Sequence, residues 1–165
     1  MGQVPFRTMY IDYQARLSDK QSLVAAASAI TSTYILDTVQ AGWGVDDEVY
    51  ARFQVGTVFA ASAASSLTLA IQIAQDTGFA TVLTVVSVVK AANGGVGLTA
   101  NAIPLVVKLP VAMMTGQTGG DTLYNASGLP YRYIRALYTS TFAITTGTIS
   151  CSLVKDTQTT IDRPL

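Results

Sequence analysis

Asp46-Asp47-Glu48 is the one run of adjacent carboxylates in this 165-residue chain. Its oxygens could be offered to a hard cation such as calcium, but adjacent positions do not supply the spaced ligand loop of a high-affinity site. An acid/base pair needs a carboxylate separation that sequence does not fix. A solvated turn leading into a strand is the better reading. Histidine is absent, so the many Ser and Thr hydroxyls lack the usual activating base, and no lysine-assisted motif replaces it. The glycine pairs Gly94-Gly95 and Gly119-Gly120 lack the Gly-Lys-Ser/Thr ending of a phosphate loop and the strand-turn-helix setting of a dinucleotide site, and read as loops. The single cysteine, Cys151, alternates with Ile149 and Leu153, which puts its thiol on a core-facing strand row. Clustered His/Cys ligands are missing, so neither a metal nor a cofactor is expected, and the chain does not read as an enzyme.

Other residues with possible recognition chemistry also have plain structural uses. Trp43, between Gly42 and Gly44, could stack on a sugar or anchor an interface, and could equally pack against the edge of its own domain. Arg132 and Arg135 fall on opposite sides of their strand by parity, so they form no joint basic patch and are expected in surface pairs. Asn125-Ala126-Ser127 matches a glycosylation acceptor, but residues 1–10 show neither a basic n-region nor an apolar h-region. Synthesis in a cytoplasm is the expectation.

The elements that must position these groups are β-strands. Apolar residues make up 50% of the chain and charged residues 12%, with a formal net charge of zero. Such a chain is long enough for a core and has no long-range repulsion between copies, which favours self-association or burial against a partner. No basic excess exists to neutralise phosphates, so nucleic acid is not the expected partner. The apolar stretch 81–89 is far shorter than the roughly 20 residues a membrane helix needs, so a membrane is not expected either.

Period-two alternation marks strands at 48–55, with Val49, Ala51, Phe53 and Val55 on one face, and at 67–73, with Leu67, Leu69, Ile71 and Ile73 on one face. The more continuously apolar 82–89 reads as a strand that could be covered on both faces, 103–109 alternates through Leu105 and Val107, and a short β segment is expected at 34–39. Residues 131–139 and 141–154 are rich in Tyr, Ile, Val and Thr and read as a strand followed by a hairpin with its turn at Thr146-Gly147. Glycine-rich turns separate these segments, and no helix long enough for a parallel crossover lies among them. The pattern points to an all-β, antiparallel, jelly-roll-like sandwich.

Residues 1–21 read as an extended N-terminal arm, 22–156 as one sandwich domain and 157–165 as a tail. Ser18 to Gln21 has capping-box spacing ahead of Leu23, which would start a helix in isolation. The run continues to Tyr34 with no stop signal, so the extended form is the reading adopted. Phe6, Arg7, Met9, Tyr10, Tyr13, Arg16 and Leu17 give the arm an aromatic and arginine content of the kind enriched at interface hot spots. Together with Trp43 they are the candidate interface residues.

Three stretches resemble the jelly-roll cement, or decoration, proteins of tailed bacteriophage capsids. They are 12–21, with its Leu17-Ser18-Asp19-Lys20-Gln21 element and Ser32 to Asp37 after it, the strand 67–73, and 131–138 with its expected hairpin. The resemblance implies a non-enzymatic virion protein on the outer surface of an assembled head. It would bridge major capsid protein subunits, acting as a homo-oligomer, dimer or trimer, on a symmetry axis. Residues 1–9 and 156–165 have no counterpart in that family. Two other classes remain: a carbohydrate-binding or tail-associated adhesion jelly roll, which would show several exposed aromatics, and a small carboxylate-metal hydrolase resting on Asp46-Asp47-Glu48 alone.

Overall fold

The computed structural model describes residues 15–24, 28–38, 48–60, 66–91, 98–109, 131–141 and 143–155, and their regular structure is β-sheet. The strands are β1 (Arg16–Ser22), β2 (Ala29–Thr31), β3 (Leu36–Asp37), β4 (Val49–Val55), β5 (Ser66–Ala74), β6 (Val82–Ala91), β7 (Leu105–Lys108), β8 (Tyr133–Ser140) and β9 (Thr148–Lys155). They form two sheets with the strand orders β1-β9-β4-β7 and β2-β8-β5-β6, with β3 also laid against β8. Every pairing is antiparallel. The protein is an all-β antiparallel sandwich.

Alternation decides which side chains fill the space between the sheets. Val49, Ala51, Phe53 and Val55 of β4, Leu67, Leu69, Ile71 and Ile73 of β5, and Ile149, Cys151 and Leu153 of β9 are all buried, as period two requires. Tyr138 of β8 reaches across from the second sheet and meets Phe53 edge to face, ring centroids 6.2 Å apart and planes at 88°. That geometry places a positive ring edge on a negative ring face.

Several expectations need correction. The arm does not run to residue 21: β1 starts at Arg16 and pairs with β9, so 16–21 belong to the sandwich. Residues 141–154 are no hairpin. Strand β9 lies in the sheet opposite β8, and the intervening chain crosses between sheets, with Thr146 bridging to Ala60 on the way. The reason is that Ile134, Ala136 and Tyr138 and the Ile149, Cys151 and Leu153 row must face each other across the core, which two strands of one hairpin cannot do. Strand β6 is not covered on both faces. It ends its sheet among the described residues and leaves Val82 and Val89 exposed, while an extra residue opposite Ile71 and Gln72 lets the neighbours Val85 and Val86 both pack on the core. Of the short segment expected at 34–39, Leu36–Asp37 form β3 and residue 39 lies outside the described residues; Ile103 is exposed although Leu109 is buried.

Strand β1 breaks its own alternation. Register shifts on either side of Ser18 turn both Leu17 and Ser18 inward, each fully buried. The Ser18 hydroxyl accepts the Cys151 amide hydrogen at 3.0 Å and shares a 2.5 Å hydrogen bond with the Tyr138 hydroxyl, so one polar atom ties β1, β9 and the opposite sheet together. Burial raises the pKa of Tyr138 well above its ordinary value, so the phenol stays neutral in this network. Ser18→Ala would leave both partners buried without a bond, at roughly 1–3 kcal/mol for each group. Tyr138→Phe removes one group and leaves Ser18 on the Cys151 amide, so it is expected to cost only about 0.5–1.5 kcal/mol. Urea unfolding of the two variants checks the order.

Candidate functional site

The candidate interface residues have separate fates. Leu17 is fully buried in the protein's own core and is unavailable to a partner, because the irregular register of β1 turns it inward. Arg16 stays on the outer face and pairs with Asp19 at 2.8 Å. Phe6, Arg7, Met9, Tyr10, Tyr13 and Trp43 lie outside the described residues, as do Asp46 and Asp47.

The remaining member of the acidic run, Glu48, is engaged within the fold. Its carboxylate takes Lys108 from β7 and accepts a hydrogen bond from the Tyr50 hydroxyl at 3.3 Å. The Lys108 hydrogen bond holds the Glu48 carboxyl below its usual range. Among the described residues no group of three His, Cys, Asp or Glu side chains could hold a metal ion, and no helix is long and apolar enough to cross a membrane.

The two arginines near β8 are both held by neighbours. Arg132 grips both oxygens of Asp37 through Nε at 2.8 Å and Nη2 at 2.5 Å, fastening β3 to the edge of β8. Arg135 stacks its guanidinium 4.1 Å from the Phe79 ring centroid and donates through Nε to Gln72 at 3.0 Å. Phe79 has a left-handed backbone, φ 52°, after a turn in which Gly78 donates its amide hydrogen to the Asp76 carboxylate. Gln72 is buried on the outward side of β5, where it accepts from Arg135 and donates to the Thr84 hydroxyl at 3.4 Å.

Cys151 is completely buried, and burial pushes its thiol far above the usual range. It has no thiolate character with which to act as a nucleophile. A thiol reagent such as a maleimide is expected to leave the native protein unlabelled at neutral pH and to label it stoichiometrically in denaturant. Rapid labelling of the native protein would show that the β1-β9 edge opens readily.

A concave feature lies on the outer face of the β1-β9-β4-β7 sheet. It is an open hollow of about 220 Å³ whose lining includes Arg16, Asp19 and Lys20 of β1, Arg52 and Gln54 of β4, Ser150 and Ser152 of β9, and Asn101. Alternation puts Arg52 and Gln54 opposite the apolar row of β4 but does not connect them with β1. The connection depends on β9, from the far end of the chain, lying between the two.

No family model matches the chain, and no curated protein matches it.

Proposed function

We propose that this is a structural virion protein that binds the outer surface of an assembled tailed-phage capsid and cements its major capsid protein subunits, working as a homo-oligomer. The observation that carries the reading is the position of Leu17-Ser18-Asp19-Lys20-Gln21, the most specific element of the resemblance. It forms a strand that ends its sheet among the described residues, ties both sheets together through Ser18 and holds Asp19 and Lys20 exposed on an outer face. Eight strands in two sheets of four, counting β2 and β3 as pieces of one strand on β8, also agree with a jelly roll. A neutral, charge-poor composition suits wide protein contacts.

Segment 1–14 is the proposed attachment arm. Because Ala15 is buried and β1 starts at Arg16, a deletion that spares the sandwich must stop at residue 14. The protein lacking 1–14 is expected to keep its β-sheet circular dichroism and to lose co-sedimentation with undecorated heads of the phage that encodes it. Repeated attachment over a symmetric shell multiplies the strength of each arm contact by avidity. Equal sedimentation of both forms would assign attachment to the sandwich instead. Failure of the full chain to bind heads, with binding to glycans, would replace the cement reading with the adhesion-module one.

A further inference from the structure

The hollow exists because β9 carries small side chains between two strands that carry long ones. Ser152 lies opposite Arg16 of β1 on one side and opposite Arg52 of β4 on the other. Strand spacing puts those two arginine backbones about 10 Å apart, with only a serine between them.

Its charge is out of keeping with the rest of the protein. Arg16, Lys20 and Arg52, three of the ten basic residues in a chain of zero formal net charge, line the hollow. The one carboxylate among the lining residues is Asp19, already tied to Arg16. The side chains of Arg52 and Lys20 have no carboxylate or hydrogen-bond partner among the described residues.

The hollow also holds an unsatisfied buried group. Ser152 is 8% exposed, and its hydroxyl has no partner among the described residues. Buried polar groups in native proteins are nearly always paired, so an orphan beside an unpaired guanidinium marks a place where a ligand atom belongs. Backbone strain collects here too. Lys20 at φ 45° and Asn101 at φ 65° are two of the three non-glycine residues with left-handed φ among the described residues.

We propose that this hollow receives a carboxylate from an acidic segment of a partner protein. The guanidinium of Arg52 takes the two oxygens side by side, the Ser152 hydroxyl donates to one of them, and Lys20 supplies charge at the rim. That the partner is a protein rests on the structural-protein reading. A nucleic acid fits less well, since a phosphate backbone needs a continued basic track and the chain has no basic excess, with the carboxylate of Asp19 among the lining residues.

The test titrates the full-length, isotope-labelled protein with a short Asp/Glu peptide at low salt, following amide chemical shifts. Controls are an Asn/Gln peptide of equal length and a single-stranded oligonucleotide. Shifts are expected at Lys20, Arg52, Gln54, Ser150 and Ser152, with at least about tenfold weaker binding in Arg52→Gln, the size of losing one bidentate charge pair. Arg52→Lys is expected to recover only part of it, because an ammonium lacks the planar fork. Lys20→Gln and Ser152→Ala serve as further variants should Arg52→Gln fail to fold, and each is expected to weaken the peptide. No binding, equal binding by these variants, equal binding of the amide peptide, or tighter binding of the oligonucleotide would overturn the proposal. Head sedimentation separates the two readings: peptide binding without head binding sinks the cement role alone, whereas head binding without peptide binding sinks the hollow.

Discussion

Phe53→Ala is expected to lower the unfolding free energy by about 3–5 kcal/mol, through lost burial and the cavity left behind. Phe53 is fully buried at the centre of β4, with β9 on one side and β7 on the other, and its ring meets Tyr138 of the opposite sheet edge to face. Strands cannot collapse into such a gap without breaking register on both sides, so little of the cavity should close. Denaturant melts give the value directly. Ile71→Ala, at a fully buried position in the other sheet, is expected to cost about 2–5 kcal/mol. A loss below about 1 kcal/mol for either would mean that the interior repacks far more freely than a close-packed core does.

Gly147→Ala is expected to be comparably damaging although it adds a single methyl group. Gly147 has φ +140°, a conformation L side chains rarely adopt, and a β-carbon there would lie 2.2 Å from Cδ1 of the Phe59 ring. Phe59 is 1% exposed, so its ring has nowhere to swing. Backbone strain of roughly 1–3 kcal/mol and overpacking of a similar size would together remove about 2–6 kcal/mol. The residue lies where the chain completes its crossing between sheets, between the Thr146 bridge to Ala60 and the start of β9, and its carbonyl accepts the Leu23 amide hydrogen at 3.2 Å. A double-mutant cycle with Phe59→Leu separates the two causes. Relief of part of the loss by the smaller side chain would identify the clash, and no relief would leave the backbone as the whole cause.

Strand existence and facing were legible wherever one side of a strand is wet. In β4 the period-two row named the buried side chains, because a one-residue slip would turn the whole apolar row into water. In β5 the row Leu67, Leu69, Ile71 and Ile73 is buried as expected, but Ala70, Gln72 and Ala74 on the other face are buried too. The β1 segment was harder. Its Leu17-Ser18 pair reads as one apolar and one polar position, and only the register shifts against β9 explain why both point inward. The candidate site was less legible still. Arg16 was singled out for its type, yet its neighbours in the hollow come from β4 and β9, more than thirty and more than a hundred residues along the chain.

Composition and alternation by themselves determined that this chain builds antiparallel sheets around one apolar interior, because those patterns are local and each strand carries its own. Tertiary structure alone decided which strands became neighbours: that β9 leaves β8 for the opposite sheet, that it lies between β1 and β4, and that Ser152 therefore separates Arg16 from Arg52. Pairing of that kind is a competition among all strand edges in the molecule, won by whichever arrangement buries every apolar row at once. No window of sequence contains that comparison.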